Sequence, residues 1–324
     1  MRLDESFSSY ADELVLVEKG LRDIFADDVS VLPLIGDHIV GGGGKRLRPL
    51  FLLLSADLAR YKRGDRIILA SIIEAIHTAS LLHDDVVDGA DLRRGKQTAH
   101  MIWGNQIVVL VGDFLYSNAL RLAVLQKNQR IMETLSGATT MMTKGEILQL
   151  HRVADPQITR QEYFEIISAK TGALISAACR IGGILGGLSP EQEDALGRFG
   201  MKTGVVFQMA DDILDYMADE KGLGKKLGKD LLEGKITLPL IYLLGVAADD
   251  EKAEIREIAK NGVSRENDLG KILHYFERYK VIEESLRIAG SVVSEAKEEL
   301  DVFPPSPERD ALMRMCDCAL ERDR

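Results

Sequence analysis

The sequence predicts an all-α protein, and the placement of proline is the clearest reason. The eight prolines lie at positions 33, 49, 156, 190, 239, 304, 305 and 307, and they leave long tracts in which nothing forbids continuous helix. Two of these tracts, Ile67–Asp88 and Glu193–Met217, carry apolar residues at helical spacing without strict alternation. Ala, Leu and Ile dominate the first tract, which favours helix over strand.

Turn residues separate the predicted helices in order along the chain. They are Gly41–Gly44, Gly64-Asp65, Gly89 with Gly95, Asp155-Pro156, Ser189-Pro190, Gly222 with Gly224, and Pro304-Pro305. No boundary rich in Ser or Pro and no short repeat divides the sequence, so we predict one all-α domain over residues 1–324. Single cores usually stop growing near ~250–300 residues, which still allows one large domain of this length.

Composition and charge argue against several classes of partner. The net charge is −10 and the isoelectric point is near 5.2, whereas nucleic acid and anionic lipid both require basic faces. The three cysteines, Cys179, Cys316 and Cys318, cannot form a disulfide framework. The N-terminus has no apolar signal segment, and charged residues such as Glu74 and Arg180 interrupt the most apolar stretches. We therefore expect a cytoplasmic protein without a stable membrane anchor.

The most informative motif is Asp-Asp-x-x-Asp, which occurs twice, each time at the end of a long apolar tract. Its carboxylates are Asp84, Asp85 and Asp88 in the first motif and Asp211, Asp212 and Asp215 in the second. On a helix, the first and last aspartates of a motif lie one turn apart on one face, where like charges repel. Bound Mg²⁺ removes that repulsion, since it takes oxygen ligands, water and substrate phosphates. One such cluster is well explained as a solvated helix end, but two predict about three Mg²⁺ ions that hold a diphosphate.

Two polar residues precede the aspartates on the same predicted helices. His77 lies two turns before Asp84 and projects from the same face. Gln208 lies about one turn before Asp211 and Asp212. Either residue alone is equally well explained as a hydrogen-bonded core residue. Their joint placement under two acidic motifs favours a role toward a bound ligand.

Basic residues cluster in segments that could close such a pocket. These residues are Lys45 and Arg48 after a glycine-rich loop, Arg93 and Arg94 after the first motif, Lys170 with Thr171 and Gly172 at an interruption of an apolar helix, and Lys225 and Lys235 after the second motif. Guanidinium groups suit bidentate phosphate contact, and glycine-rich loops present backbone N–H groups. The first segment lacks the Gly-Lys-Ser/Thr ending of a nucleotide P-loop, so it does not imply ATP. Each segment alone could be a solvated surface.

In this order, the motifs resemble those of the all-trans polyprenyl diphosphate synthases. The resemblance rests on Gly-Gly-Lys-Arg-Leu-Arg-Pro at residues 43–49, Ile76–His83 leading into the first aspartates, Arg93-Arg94-Gly95, Lys170-Thr171-Gly172 and the second aspartate motif. It implies an isoprenoid-synthase-type bundle of antiparallel helices around a deep central cavity, usually assembled as a homodimer. It also implies Mg²⁺-dependent, repeated addition of isopentenyl diphosphate to an allylic diphosphate.

The resemblance further divides the residues between two substrates. The residues that it places at the allylic diphosphate, besides the aspartates and Mg²⁺, are Arg93, Lys170, Thr171, Gln208, Lys225 and Lys235. The residues that it places at isopentenyl diphosphate, without metal, are Lys45, Arg48, His77 and Arg94. No side chain is placed as a dedicated base, and the departing diphosphate is the implied proton acceptor.

Product length is expected to depend on Ala79 and Ser80, one turn before Asp84. Family members that stop early typically carry a bulky aromatic residue in this turn or insert residues within the first motif, and this chain does neither. Small side chains at these two gate positions leave room for a growing chain, so we expect a long product of about octaprenyl class for a quinone tail. The expected allylic starter is farnesyl or geranylgeranyl diphosphate. Met141, Met142 and Ile147 are candidates for the floor of the cavity, although ordinary core packing explains each one as well.

Four alternatives remain beside this reading. One is a geranylgeranyl or farnesyl diphosphate synthase, and another is a non-catalytic subunit of a heteromeric synthase, which need not retain both motifs. A terpene cyclase usually replaces the second motif, which is intact here. A di-iron bundle is suggested by Glu74-x-x-His77, but it requires a second Glu-x-x-His that the sequence lacks.

Overall fold

The computed structural model describes residues 8–217, 228–261 and 268–320, and regular structure in these ranges is almost entirely helical. The prediction of an all-α fold is confirmed. A small antiparallel ladder joins Leu92–Arg93 (β1) to Lys96–Gln97 (β2), with Leu92 opposite Gln97. This ladder forms a hairpin directly after the first aspartate motif.

The helices follow the predicted tracts and turns. In chain order they are α1 (Ala11–Phe25), α2 (Val31–Val40), α3 (Leu47–Leu58), α4 (Asp65–Val87), α5 (Ala99–Trp103), α6 (Asn105–Leu125), α7 (Gln129–His151), α8 (Arg160–Ile167), α9 (Ala173–Gly186), α10 (Pro190–Leu214), α11 (Lys229–Leu232), α12 (Leu238–Val246), α13 (Asp249–Asn261), α14 (Asp268–Arg278), α15 (Val281–Glu298) and α16 (Pro307–Leu320). A π-helical turn, Ser168–Gly172, lies between α8 and α9, and a 3₁₀ turn, Glu299–Val302, follows α15.

Proline marks the beginnings of helices, as its chemistry requires. Pro33, Pro49, Pro190, Pro239 and Pro307 all lie within the first three residues of a helix. In that first turn the backbone N–H has no intrahelical partner, so its loss in proline costs no hydrogen bond. The proline pattern therefore located helix starts as well as uninterrupted tracts.

The chain divides into two compact units. Unit 1 consists of Met1–Thr139, Leu174–Gly197 and Val302–Leu312, and unit 2 consists of Thr140–Ala173, Arg198–Asp301 and Met313–Arg324. The first aspartate motif belongs to unit 1 and the second to unit 2. The expectation of one domain over residues 1–324 stays a prediction.

Helix α4 is the core helix of unit 1. It packs against α1, α3 and α6, and its side chains from Ile72 to Ala79 are buried except His77. This burial explains why the tract is apolar nearly all around. Because the helix is fixed along its length, the aspartates at its C-terminal end are carried on a rigid element.

An apolar cluster in unit 2 joins α8 to α10. Tyr163 and Ile167 from α8 pack with Val205, Met209 and Ile213 from α10. These five side chains are at most 5% exposed. The cluster holds the second aspartate motif beside the π-helical turn that carries Lys170 and Thr171.

Within the described ranges, two helices are long and apolar enough to cross a membrane by length and composition. They are α4 and α6. In the most apolar 18-residue stretch of each helix, 61% is buried in α4 and 33% is buried in α6. A core helix of a soluble protein meets the same two criteria, and the burial of α4 agrees with that description. The exposed apolar side chains of α6 require a separate explanation.

Candidate active site

The middle aspartate of the first motif is held by an arginine. Asp85 is 6% exposed and accepts hydrogen bonds from Arg93 Nε at 2.9 and 3.0 Å, with Arg93 Nη2 2.7 Å from its Oδ1. Such bidentate pairs fix both partners. Asp84 is partly exposed and Asp88 is exposed at the end of α4. The three carboxylates of the first motif are therefore not equivalent.

The glycine-rich loop before α3 is clamped by Arg46. This residue has a left-handed backbone with φ 46° and a side chain that is 7% exposed. Its guanidinium donates to Glu74 Oε1 at 2.9 Å and Glu18 Oε1 at 3.0 Å. Glu74 is thus the partner of a buried arginine, which explains the Glu-x-x-His pattern without a di-iron site. Sequence reasoning treated Arg46 only as part of a basic segment and missed this clamp.

The same loop and the end of α2 before it are connected to the β1–β2 hairpin by three hydrogen bonds. Arg94 Nη1 donates to the Gly43 carbonyl, Lys96 Nζ donates to the Gly41 carbonyl at 3.0 Å, and His38 Nε2 lies 2.9 Å from the carbonyl oxygen of Gln97. Loop and hairpin form one basic wall. The predicted isopentenyl diphosphate residue Arg94 is part of that wall.

This wall borders a cleft in unit 1. The cleft has a volume of about 650 Å³, counting its open mouth, and its lining includes His77, Asp85, Arg93 and Arg94. Burial and the neighbouring arginines, Arg48 foremost, hold the pKa of His77 well below its usual range. His77 is therefore neutral at pH 7 and can offer one donor and one acceptor nitrogen. The structure brings together these four predicted residues.

The second motif lies at the end of α10 and is also asymmetric. Asp212 is 4% exposed, and it accepts hydrogen bonds from Tyr163 Oη at 2.6 Å and Gln208 Nε2 at 2.9 Å. Burial raises the pKa of Asp212 to about 6, against the effect of these two donors. Asp211 is exposed. As in the first motif, the middle carboxylate is buried and hydrogen-bonded to side chains of the protein.

The third aspartate of this motif organises the chain that returns to it. Asp215 Oδ1 accepts the backbone N–H of Lys229 at 3.2 Å, and its Oδ2 accepts that of Asp230 at 3.0 Å. The backbone N–H of Gly228 donates to the Asp215 carbonyl oxygen at 2.9 Å. The carboxylate therefore fixes the beginning of α11 relative to the end of α10.

Asp230 is a further acid at this site that sequence reasoning did not assign. Burial, followed by the charges of Asp212 and Asp215, raises the pKa of Asp230 to about 8. It lines a cleft in unit 2 together with Lys170, Gln208, Asp212 and Lys235, among others, with a volume of about 680 Å³. The Gly-Lys-Asp sequence at the beginning of α11, Gly228 to Asp230, was the available signal, but it does not indicate burial.

Lys170 and Thr171 are carried by the π-helical turn, which confirms the predicted interruption of an apolar helix. Such turns often mark functional sites. Lys170 Nζ lies 2.5 Å from Glu146 Oε2, and Thr171 Oγ1 donates to Gln208 Oε1 at 2.9 Å. Glu146 is a second residue that sequence reasoning missed, because nothing in its own segment pairs it with Lys170.

Close backbone packing on both sides holds this turn. A Cβ on Gly145 would lie 2.7 Å from the Cβ of Ala169, and a Cβ on Gly204 would lie 2.5 Å from the Cα of Gly172. Glycine is therefore required at positions 145 and 204 for the turn to fit between α7 and α10. The structure thus explains the position of Lys170 and Thr171 by packing.

Several other predicted residues are not among the described residues that line either cleft. Lys45 is exposed and Arg48 is partly exposed, and Lys225 lies outside the described residues. Ala79 is fully buried, and Ser80 donates to the His77 carbonyl oxygen at 2.9 Å. Among the candidates for a cavity floor, Met142 is buried, whereas Met141 is 42% and Ile147 is 62% exposed in this chain.

The donor set of the two motifs fits a hard cation. In the described part of the chain, no group of three or more His, Cys, Asp or Glu side chains is arranged to hold a metal ion. Mg²⁺ does not require such a group, because it is usually held by one or two carboxylates with water and substrate phosphates. Carboxylates at partly exposed and exposed positions, such as Asp84, Asp88 and Asp211, satisfy this condition.

Comparison with known proteins agrees with this site. The polyprenyl synthetase family model matches residues 29–276. The octaprenyl diphosphate synthase of Escherichia coli K12 is 38% identical over 324 residues, which is 100% of both chains. The short chain isoprenyl diphosphate synthase of Methanothermobacter thermautotrophicus is 35% identical, over 100% of this chain and 98% of its own.

A solved structure gives the same result for the fold. The polyprenyl synthase from Caulobacter crescentus CB15, complexed with calcium and isoprenyl diphosphate, is 36% identical with a TM-score of 0.92, over 99% of this chain and 98% of that one. Its similarity extends over the elements that carry both aspartate motifs. The chain belongs to the polyprenyl synthetase family and is a trans-prenyltransferase that acts as a polyprenyl diphosphate synthase.

Proposed function

We propose that the protein is a Mg²⁺-dependent long-chain synthase that adds isopentenyl diphosphate repeatedly to farnesyl or geranylgeranyl diphosphate. The observation that carries this proposal is that an aspartate motif borders a cleft with basic side chains in each unit. In unit 1 these groups are Asp85 with Arg93 and Arg94. In unit 2, Asp212 lies with Lys170 and Lys235, among others. Each cleft therefore suits a diphosphate with a bound cation.

In this proposal Asp84 and Asp88 hold Mg²⁺ in the first motif, and Asp211 does so in the second. These three carboxylates are exposed or partly exposed. The calcium in the related Caulobacter structure supports a divalent cation, and we propose about three Mg²⁺ ions per active site. Bound Mg²⁺ offsets the charge that develops on the departing diphosphate.

The chain's own residues then have separate roles toward the two substrates. Arg93, Lys170 and Lys235 bind the allylic diphosphate, and Lys225 is proposed to join them. The Thr171 hydroxyl and the Gln208 amide oxygen lie next to positive charge at the allylic carbon, as oriented dipoles in a site without bulk water. The proton lost after each condensation goes to the departing diphosphate.

Isopentenyl diphosphate is proposed to bind to the basic wall of unit 1. Lys45 comes from the glycine-rich loop, Arg48 from the first turn of α3 and Arg94 from the hairpin, and the loop and the hairpin are hydrogen-bonded to each other. His77 contributes a neutral donor, since its pKa is held low by burial and by nearby arginines. A metal-free anion site is expected from this surplus of cations.

The product is proposed to be of octaprenyl class, for the side chain of a quinone. Ala79 and Ser80 both have small side chains, so neither would block chain growth. The Escherichia coli relative is an octaprenyl diphosphate synthase, but a short chain synthase is almost equally similar. Overall identity therefore does not decide product length, and the two gate residues are the better guide.

The exposed apolar face of α6 is proposed to pair with a second copy of the chain. Leu110 is 63%, Val124 is 56% and Leu125 is 58% exposed, and large apolar side chains exposed in this way are candidates for an interface. A cytoplasmic homodimer accounts for this face without a membrane. Light scattering should give twice the chain mass, and Leu110→Glu should halve it; a wild-type monomer would overturn the dimer.

One experiment tests the proposed activity. The protein is incubated with Mg²⁺, isopentenyl diphosphate and farnesyl diphosphate, and the product is sized by mass spectrometry. A linear product of about octaprenyl length is expected. Geranylgeranyl diphosphate would indicate a short-chain synthase, a cyclic hydrocarbon would indicate a cyclase, and no product would indicate a non-catalytic subunit.

A further inference from the structure

Both oxygens of the Asp212 carboxylate accept hydrogen bonds from unit 2 itself. Tyr163 from α8 is 3% exposed and donates its hydroxyl to Asp212 Oδ2 at 2.6 Å. Gln208 Nε2 donates to Asp212 Oδ1 at 2.9 Å. Because the ionised carboxylate accepts only, each of its two oxygens faces a donor. This arrangement fixes the orientation of the Asp212 carboxylate before any metal binds.

The hydrogen bonds continue from Gln208 to the π-helical turn. Thr171 Oγ1 donates to Gln208 Oε1 at 2.9 Å. An amide has one accepting and one donating end, and Asp212 can satisfy only the donating end. The relay Tyr163–Asp212–Gln208–Thr171 therefore admits one orientation of the Gln208 amide, with its oxygen toward Thr171.

Backbone packing makes this relay possible. The Gly172 Cα would lie 2.5 Å from a Cβ on Gly204, so α10 and the π-helical turn approach more closely than side chains would allow. That approach brings Thr171 within hydrogen-bond distance of Gln208. Tyr163 is fixed at the other end by the apolar cluster with Val205 and Met209. Both ends of the relay are thus attached to rigid elements.

We propose that Tyr163 and Asp212 are positioning residues that orient the Gln208 amide and the Thr171 hydroxyl for the prenyl transfer. This inference rests on the proposed function, in which Gln208 and Thr171 lie next to the allylic carbon. The reason is geometric: without Asp212 as an obligatory acceptor, the amide can rotate and present its NH₂ group to the developing cation. A donor dipole in that place would raise the barrier.

The test compares Tyr163→Phe and Asp212→Asn with Asp211→Asn as the matched control. We expect Tyr163→Phe to lower kcat about 10- to 100-fold, since a hydrogen bond to a charged group is lost, with KM for isopentenyl diphosphate unchanged within about twofold. Mn²⁺ affinity in the presence of inorganic pyrophosphate is measured by electron paramagnetic resonance, and we expect it to be unchanged in both variants. Asp211→Asn should weaken Mn²⁺ binding at least about tenfold.

A double variant tests whether the two residues act as one unit. Once one residue of a relay is replaced, replacing the second should cause little further loss. The kcat of the Tyr163→Phe/Asp212→Asn double variant should therefore equal that of Asp212→Asn within about threefold. Multiplicative losses would overturn the relay. Circular dichroism verifies that the variants are folded, and Tyr163→Phe retains the packed ring.

Two further results would contradict the proposal. Wild-type kcat in Tyr163→Phe would show that the hydroxyl positions nothing. Loss of Mn²⁺ affinity in Asp212→Asn equal to that in Asp211→Asn would make Asp212 a metal ligand. Failure of the proposed function can be told apart from failure of this proposal. A wild-type protein that shows no prenyl transfer but binds Mn²⁺ in the presence of pyrophosphate would refute the activity, and the Mn²⁺ affinities of the variants would still test the role of Asp212.

Discussion

Replacing Glu74 with Gln should raise KM for isopentenyl diphosphate by about 5- to 30-fold. Glu74 is 5% exposed in its side chain and lies 2.9 Å from Arg46 Nη1. Gln keeps an acceptor oxygen but removes the charge. Arg46 keeps its charge, and a hydrogen bond to a charged group contributes about 1.5–3 kcal/mol, part of which depends on the carboxylate charge that Gln lacks. The clamp therefore weakens by about 1–2 kcal/mol, which corresponds to that factor.

This weakening matters because of the backbone that Arg46 must adopt. Its φ of 46° is left-handed, which costs about 1–2 kcal/mol for a residue with a Cβ. The clamp offsets a penalty of the same size. When the clamp weakens, the loop that carries Lys45 and leads to Arg48 in the first turn of α3 is released from its bound geometry. The loss should appear in KM for isopentenyl diphosphate rather than in KM for the allylic substrate.

The chain offers a matched control for this experiment. Glu18 contacts the same guanidinium at 3.0 Å but is 34% exposed, and such a pair contributes about 0–1 kcal/mol. Glu18→Gln should therefore raise the same KM less than about fivefold. Steady-state kinetics at saturating allylic diphosphate measures both. An unchanged KM in Glu74→Gln, or equal effects of the two substitutions, would refute the reasoning.

Four further predictions concern other parts of the molecule. Ala79→Phe should shorten the product with turnover preserved, and unchanged length in mass spectrometry would exclude the gate. Asp84→Ala should lower kcat by several orders of magnitude while circular dichroism shows a folded chain; near-normal activity would remove the metal role. Gly145→Ala should lower the free energy of unfolding by about 1–3 kcal/mol in urea, because its Cβ overlaps Ala169, and an unchanged midpoint would contradict this packing. His77 has a pKa in the folded protein below its ordinary value of 6.5, so the unfolded chain binds the proton first as the pH falls. The free energy of unfolding should therefore decrease below about pH 6.5. The decrease is at most about 1.4 kcal/mol per pH unit, and it is smaller here because the ring is partly exposed. Urea midpoints between pH 7 and 5 should show this slope in the wild type and a flatter one in His77→Asn; equal slopes would exclude His77 as its source.

The helices and the motifs that they carry could be predicted because their signals are local. The tract Ile67–Asp88 became α4, Asp65–Val87, and the tract Glu193–Met217 became α10, Pro190–Leu214. Apolar spacing and proline chemistry act over a few residues, and a single sequence records them fully. The interruption at Lys170 was visible for the same reason, although its π-helical form was not.

The partners of the charged residues could not be predicted, because they come from distant segments. Tyr163 and Asp212 are 49 residues apart, and Arg46 and Glu74 are 28 apart. Nothing in the local pattern of either residue selects the other. Such pairs depend on how helices pack, and a one-residue shift in helix register would change them. Sequence reasoning therefore located the acidic motifs but treated their three aspartates as equivalent.

The two motifs are alike in sequence but are stabilised by different chemistry. Arg93 brings a positive charge to Asp85, so that carboxylate is neutralised by the protein itself. Tyr163 brings no charge to Asp212, and burial raises the pKa of Asp212 to about 6 and that of nearby Asp230 to about 8. Asp230 is therefore largely protonated at pH 7, and a divalent cation at the second motif would favour the ionised form of both acids. Because Arg93 is shared between Asp85 and a proposed diphosphate contact, the first motif should instead respond most strongly to the substrate anion.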